Sequence, residues 1–167
     1  PLSFDFIYGN RRKEDPTGMF FSDPLTAGQF QRDRRLNTQI QYNDHFANDT
    51  LNVLGRLFLG QYRYDNPMFY SGERTLSTGP SDWHGAELRF LSTAIANHKL
   101  MLGMEYQNNT GIKQTYQNFD NPDENVFVRS PVVRMGVYIQ DEWRITDTLS
   151  ATAGLRYDYN KWIDSRL

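Results

Sequence analysis

Several features that define common protein classes are missing from this sequence. It contains no cysteine, so neither disulfides nor thiolate metal sites can form, an absence that suits a protein of an oxidising compartment. The 18 lysine and arginine residues are balanced by 20 aspartate and glutamate residues, which leaves no basic surplus for binding nucleic acid. No stretch approaches the ~18 apolar residues of a membrane-spanning helix, and no signal peptide is recognisable.

The patterns of common catalytic and metal sites are also missing. Nothing in the sequence matches a Ser-His-Asp triad, a glycine-rich phosphate loop or an HExxH motif, so we expect neither catalysis nor a cofactor. The histidines His45, His84 and His98 share no ligand spacing, so we expect no metal site. The acidic segment 120–125 lacks the spacing of a calcium-binding loop and is interpreted as a solvated loop tip.

The sequence does contain a strong alternation of apolar and polar residues. In LSATAGLRYDYN, residues 149–160, every second residue from Leu149 to Tyr159 is apolar or aromatic, and polar or small residues stand between them. Residues 132–144 alternate in the same way, with Val137 on one face and charged residues on the other. Alternation over this length predicts strands with one apolar and one polar face.

The same pattern, more loosely kept, extends along the chain. It predicts an all-β fold, an antiparallel up-and-down meander of about seven strands that forms part of a large transmembrane β-barrel. Several strands are longer than the ~5–6 residues usual in soluble proteins and suit the ~9–11 residues of a bilayer-crossing strand. The predicted strands span residues 2–14, 33–45, 50–65, 83–93, 98–113, 132–144 and 148–160.

The predicted connections alternate between short and long. Short links are expected at 45–50, 93–97 and 145–148, and long links at 15–32, 66–82 and 114–131. The long links contain most of the prolines. Short turns on one side and long loops on the other are typical of outer-membrane barrels, which have periplasmic turns and extracellular loops.

Residues 138–158 carry the most specific signal. They read YIQDEWRITDTLSATAGLRYD, with an aromatic-x-Gln-Asp-Glu-Trp start, a Thr-Asp turn and a Gly-Leu-Arg-Tyr-Asp end. This segment closely resembles the barrel hairpin of TonB-dependent outer-membrane receptors. We expect Glu142 and Arg156 on the polar face, and Trp143 in an aromatic girdle beside the short turn.

The resemblance has several implications. It implies that residues 1–167 are a segment of the receptor's barrel domain in the bacterial outer membrane, without the plug domain and short of the full set of about 22 strands. Such a receptor is an active importer and not an enzyme. Its partners would be outer-membrane lipid, an extracellular ligand such as a ferric siderophore, another chelate, a cobalamin-like compound or a sugar, and TonB, which would act through other parts of the receptor.

The candidate ligand contacts lie in or beside the long links. Aromatic residues there often mark binding surfaces, although packing of loops on one another explains them equally well. The candidates are Phe20, Phe21, Phe69, Tyr70, Trp83, Tyr116 and Phe119.

Basic residues flank the first long link, at 11–13 and 32–35. Hairpin pairing would bring them together at the outer end of two strands. There they could meet anionic lipopolysaccharide or an anionic ligand, or form a solvated charged rim.

Two other interpretations are compatible with the pattern. A complete outer-membrane barrel of about eight strands, with a structural or adhesive role, suits the chain length. A soluble lipocalin-like binder would show the same alternation, with its apolar side facing inward. Aromatic residues at strand ends and the alternating link lengths favour the membrane barrel over the soluble one.

Overall fold

The computed structural model describes residues 1–14 and 29–162. These residues form strands almost throughout, with a 3-10 turn at Pro122–Glu124. None of the helical structure within them is long and apolar enough to cross a membrane. The strands are β1 (Leu2–Glu14), β2 (Phe30–Phe46), β3 (Leu51–Tyr70), β4 (Glu73–Thr78), β5 (Ser81–Ser92), β6 (His98–Asn109), β7 (Lys113–Asn118), β8 (Val126–Arg129), β9 (Val132–Arg144) and β10 (Ser150–Trp162).

Seven of these strands form one continuous antiparallel sheet, which we call the wall. Its order is β1, β2, β3, β5, β6, β9, β10, so each strand pairs with the wall strand that precedes it in the chain. The predicted antiparallel meander is confirmed. All seven predicted strands are present, and the bounds of β1 and β9 agree with those predicted.

The short links at one end of the wall are tight turns, as predicted. Between β2 and β3 the chain reverses through Ala47, Asn48 and Asp49, which all have positive φ angles of 54°, 55° and 66°. The hydroxyl of Thr50 closes this turn by donating a hydrogen bond to the Ala47 carbonyl oxygen at 2.7 Å. The other two turns join β5 to β6 and β9 to β10.

The prediction that residues 66–82 and 114–131 are loops is wrong over much of their length. Strand β3 continues to Tyr70 and reverses at Ser71 and Gly72, and β4 returns along it. Strand β7 then pairs with β4, and β8 pairs with β7. We call residues 65–70 of β3, together with β4, β7 and β8, the extension. The third long link, 15–32, lies mostly outside the described residues, and its last residues belong to β2.

The two faces of the wall differ in chemistry. One face, here called the outer face, carries large apolar side chains, of which Leu57 is 60% and Leu155 79% exposed. The opposite inner face carries charged and amide side chains, of which that of Glu87 is 17% and that of Asp158 50% exposed. The wall therefore has one apolar and one polar face, as the alternation predicted.

The described part of the chain has almost no apolar core. Leu54 and Val132 are the only hydrophobic residues there that are buried. A soluble sheet of this size would bury its apolar face against a second layer. Within residues 1–14 and 29–162, no second layer covers the apolar face.

Candidate functional site

The apolar residues of the outer face form a band across all seven wall strands. Strand register aligns them in rows, for example Leu57, Ala86, Tyr106 and Met135 across β3, β5, β6 and β9. The band matches the lipid-facing belt of a membrane barrel. Its large exposed members include Leu2, Phe4, Phe6, Tyr8, Ile40, Tyr42, Leu57, Leu59, Leu102, Met104, Tyr106, Met135, Val137, Ile139, Leu155, Tyr157 and Tyr159.

Polar and aromatic groups mark the end of this band near the short turns. Asp141 interrupts the apolar face there, and its carboxylate accepts a hydrogen bond from Nδ1 of His98 at 2.8 Å. The His98 ring in turn stacks on Trp143, with 5.7 Å between ring centroids and 3° between planes. Trp143 therefore lies beside the turn, as expected for an aromatic girdle, and the nearby aspartate is paired.

A row of ion pairs crosses the inner face at mid-height. Arg56 of β3 is 2.5 Å from Glu87 of β5. Arg156 of β10 pairs with Asp158 on the same strand at 2.8 Å and also with Glu105 of β6. These side chains point to the polar side, as predicted for Arg156, and they give the wall a hydrophilic lining.

Glycines on the inner face make room for aromatic rings from neighbouring strands. The ring of Trp83 occupies the space that a Cβ at Gly60 would need, and these two residues are directly opposite in the register. Phe58 lies over Gly85, and Tyr138 over Gly103, in the same manner. At these positions an aromatic ring from the neighbouring strand covers the glycine and shields its backbone from solvent.

A pocket of about 570 Å³ lies where the wall meets the extension. The side chains that give it chemical character are Tyr62 and Tyr64 of β3, Tyr116 and Lys113 of β7, and hydroxyl groups of β4 and β5. No carboxylate lines it. Burial raises the pKa of Tyr116, so this phenol is neutral at physiological pH. The pocket therefore offers hydroxyl groups, aromatic surface and one cation.

An ion and hydrogen-bond cluster holds Tyr62 in place beside this pocket. The Tyr62 hydroxyl donates a hydrogen bond to Asp33 at 2.5 Å, and Arg11 pairs with the same carboxylate at 2.7 Å. The bond to Asp33 raises the pKa of Tyr62 to about 12. The hydrogen bond from Tyr62, followed by that from Arg11, holds the pKa of Asp33 below its ordinary value.

The extension is braced by a second network at its far end. The side chain of Asn118, with 1% of the residue exposed, donates to Glu73 at 2.5 Å and to Glu124 at 3.1 Å. Its oxygen accepts from the backbone N–H groups of Asp120 and Asn121, both at 3.0 Å. Segment 120–125 is largely exposed, as predicted for a solvated tip, and it forms an ordered turn in which Asp120 and Glu124 are hydrogen-bonded.

Arg74 adds a bidentate contact to this network. Its Nη2 lies 2.8 Å and its Nε 3.3 Å from the two carboxylate oxygens of Asp120. The Asp120 carboxylate raises the pKa of Arg74, and the guanidinium lowers the pKa of Asp120. The acidic segment thus ties β4 to the chain that follows β7.

The structure separates the aromatic residues that the sequence singled out. Tyr116 lines the pocket, and Trp83 lies on the inner face of the wall over Gly60. Phe69, Tyr70 and Phe119 lie at the far tip of the extension, where the Phe119 N–H bonds to the Arg74 carbonyl oxygen. Phe20 and Phe21 lie outside the described residues.

Sequence reasoning missed two aromatic residues of the pocket, Tyr62 and Tyr64. Both fall inside the strand predicted at 50–65, and their shared parity places them on the inner face. That parity was the available signal. What the sequence did not indicate is that the chain beyond residue 65 folds back to enclose them.

The histidines are widely separated in the structure. His45 lies at the turn before β3, within 3.3 Å of the Asn52 amide, while His84 and His98 lie at opposite ends of the wall. Across residues 1–14 and 29–162, no group of three or more potential metal ligands comes together.

Comparison with known proteins gives one match. A family model described as "TonB dependent receptor-like, beta-barrel" matches residues 1–165. No curated protein and no solved structure matches the chain. The matched residues include the whole wall and the extension.

Proposed function

The chain belongs to the TonB-dependent receptor β-barrel family, and from that premise we propose that it forms part of an outer-membrane active transporter that binds an extracellular ligand and imports it with TonB-supplied energy. The family is one of outer-membrane transport proteins and not of enzymes. We further propose that residues 1–167 all belong to the barrel domain, and that the ligand is an iron-siderophore or a similar chelate.

The observation that carries this proposal is the two-sided wall. Seven strands of 12 to 20 residues present a broad apolar band on one face and paired charges on the other. In a membrane, every backbone N–H and C=O must be satisfied within the protein, so such a sheet must continue until it closes. A large barrel with a hydrophilic lumen satisfies both faces and both edges.

The pocket between wall and extension supports ligand capture on the extracellular side. It lies at the end of the wall opposite the tight turns, which is the extracellular end in barrels of this kind. Three tyrosines and Lys113 line it, and it has no carboxylate. This lining suits an oxygen-rich anionic ligand, because the hydroxyl groups donate hydrogen bonds and the ammonium group attracts negative charge. A ferric siderophore has that character.

The wall's proposed role in import is passive. Its charged inner face keeps the lumen of the barrel polar. A plug or a ligand can therefore move through the lumen without contacting apolar surface. TonB would act on parts of the receptor other than this barrel segment, and the energy would come from the inner membrane.

The two alternative functions have less support. A soluble lipocalin-like binder keeps its apolar side chains inside, whereas here the large apolar side chains of the outer face are exposed, Leu155 to 79%. A small complete barrel would also have an apolar outer face. The family match over residues 1–165 favours the large receptor over that alternative.

The experiment that tests the proposal is uptake by cells that express the intact receptor. We expect uptake of a radiolabelled ferric siderophore that stops when the proton gradient is collapsed. Replacing two pocket residues, Tyr62→Ala with Tyr116→Ala, should lower ligand affinity at least tenfold, since each removed aromatic contact is worth about 1 kcal/mol or more.

A matched control is Phe119→Ala, an aromatic residue at the tip of the extension that does not line the pocket. It should leave affinity within about twofold of the unsubstituted receptor. Equal losses in the control and the double variant would refute the pocket as the binding site. Failure to take up any chelate, sugar or cobalamin in an energy-dependent way would refute the transport function itself.

A further inference from the structure

Arginines cluster on the outer face just above the apolar band. Arg12 of β1 lies directly opposite Arg32 of β2, and Arg34 of β2 lies directly opposite Arg63 of β3. Alternation along the strands places all four on the same face as the lipid-facing residues. They begin one side-chain row beyond Tyr8 and Leu36, the last apolar pair of that band on β1 and β2.

This arrangement brings like charges together. Like charges placed directly opposite on neighbouring strands repel, and a folded sheet keeps such pairs where an anion compensates them. Asp65 compensates Arg34 at 2.7 Å, and Asp82 compensates Arg63 at 2.8 Å. Within the part of the chain that the structure describes, no carboxylate forms an ion pair with Arg12 or Arg32.

The contacts of these two arginines are with neutral groups. The guanidinium of Arg12 lies over the Phe30 ring, 4.0 Å from its centroid. Arg32 donates a hydrogen bond to the side-chain oxygen of Asn10 at 3.3 Å. Glu14 is on the same face, but it forms no ion pair with either arginine. Among the described residues, the partners that orient these two adjacent guanidinium groups are therefore neutral.

The height of this pair relative to the membrane indicates what compensates it. The apolar band ends at Tyr8 and Leu36, so groups one or two rows higher lie among the lipid headgroups. Arginine binds phosphate oxygens through parallel N–H donors, and it is the preferred residue for such contacts. We propose that Arg12 and Arg32, with Arg34 beside them, bind the phosphate of an anionic lipid in the outer leaflet.

The surface below the arginines accommodates the acyl chains of such a lipid. A groove of about 570 Å³ runs across the outer face, with Gly55 and Ala86 as its shallow floor and Ile40 and Leu57 on its walls. Ile40 is six residues from Arg34, a distance of roughly 20 Å along the strand. Because barrel strands are tilted, this corresponds to about 15 Å along the membrane normal. That depth is half of the ~30 Å hydrocarbon core, which is the thickness of one leaflet's acyl chains.

The proposal rests on the outer-membrane location and not on the identity of the transported ligand. It is tested with the intact receptor in non-ionic detergent micelles that contain dioleoyl phosphatidic acid, with bound lipid counted by native mass spectrometry. Dioleoylglycerol, which has the same chains and no phosphate, is the matched neutral probe. Inorganic phosphate at the same concentration tests whether the chains contribute.

The test variant is Arg12→Gln with Arg32→Gln, and the control is Lys13→Gln with Arg35→Gln. The control removes the same charge from the same two strands but on the inner face. We expect the affinity for phosphatidic acid to fall about 25-fold in the test variant, roughly fivefold per arginine. It should change less than twofold in the control, and dioleoylglycerol should bind weakly to all three proteins.

Three results would overturn the proposal. Unchanged affinity in the test variant would remove the arginines from the site, and an equal loss in the control would reduce the effect to net charge. Binding of inorganic phosphate as tight as that of the lipid would make this a site for free anions. None of these results depends on siderophore uptake, so the transport function is judged separately.

Discussion

Arg156 of β10 reaches across the whole of strand β9 to pair with Glu105 of β6, and Gly136 is the residue over which it passes. In the register, Gly136 lies directly between Glu105 and Asp158. A Cβ built at Gly136 would lie 2.9 Å from the Arg156 guanidinium and 3.0 Å from the Glu105 carboxylate. Because Gly136 has no side chain, an ion pair can form across it between strands that are not neighbours.

Replacing this glycine should break the pair. Gly136→Val places a branched side chain where the three charged groups meet, and we expect the free energy of unfolding to fall by about 1–3 kcal/mol. Gly9→Val is the matched control, because nothing lies within 4 Å of a Cβ at Gly9 on the same face. Chemical unfolding of the intact receptor in detergent measures both, and equal losses would show that the pair contributes nothing.

The hydrogen bond between Tyr62 and Asp33 should make part of the stability depend on pH. Because the pKa of Asp33 is lowered on folding, its contribution is present above the ordinary pKa of 3.8 and is lost as pH falls through the folded value. Because the pKa of Tyr62 is raised to about 12, its contribution is present below pH 10 and is lost between pH 10 and 12.

Tyr62→Phe tests this bond directly. We expect the variant to be about 1 kcal/mol less stable at pH 7. The difference should shrink as pH falls below 3.8, the ordinary pKa of Asp33, and through the lower pKa that Asp33 has in the folded protein. Unfolding titrations at several pH values measure it. Tyr8→Phe, an exposed tyrosine of the outer face, should show no such dependence. A difference that stays constant down to pH 2 would place the stabilisation outside this hydrogen bond.

Asn118 should control the order of the extension. Asn118→Ala removes two donors and an acceptor from a buried site, which costs about 2 kcal/mol or more locally. We expect faster amide hydrogen exchange in residues 119–125 and β8, and unchanged exchange in the wall. Asp123→Ala in the same turn is the control, since Asp123 is exposed. Unaltered exchange in Asn118→Ala would mean that strand pairing alone holds the extension.

The turn between β2 and β3 should become more stable with glycine. Ala47 has φ of 54°, a left-handed conformation that costs a residue with a Cβ roughly 1 kcal/mol. Ala47→Gly relieves that cost and should raise the midpoint of thermal unfolding. Thr50→Gly, which removes the hydroxyl bonded to Ala47, should lower it. A lower midpoint for Ala47→Gly would show that backbone entropy outweighs the strain.

The assignment of the two faces can be tested by spin labelling, since the chain has no cysteine of its own. A label at Leu155→Cys on the outer face should collide preferentially with oxygen, which concentrates in lipid. A label at Thr152→Cys, three residues away on the inner face, should collide with a water-soluble nickel chelate instead. The reverse preferences would make the apolar face the interior.

The wall could be predicted because the pattern that determines each of its strands lies within that strand's own sequence. Each strand alternates apolar and polar side chains, and a slip of one residue would move a whole apolar row to the wrong face. The hairpin at 138–158 also carried a recognisable family pattern. In this hairpin the sequence predicted the strands, the turn and the direction of the side chains. The register of β9 with β10 agrees with the predicted turn.

The extension could not be predicted because its strands lack that alternation. Strands β4 and β7, ERTLST and KQTYQN, are short and polar on both faces, so pairing with neighbouring strands, and not alternation, makes them strands. Pro67 was also misleading, because proline usually argues against a strand. It is tolerated because β2 pairs with β3 only as far as Asp65, so no described strand needs a backbone N–H from Pro67 on that edge of β3.

Pairing between β4 and β7 joins two stretches of chain, some forty residues apart, into one structural unit. Four rungs, from Thr75 opposite Asn118 to Thr78 opposite Thr115, join them. A chimaera that imports residues 66–80 from one relative and keeps 111–130 from another would mismatch these rungs and the bidentate contact of Arg74 with Asp120. New ligand preferences should therefore be transplanted, in the laboratory or by recombination, only when both stretches move together.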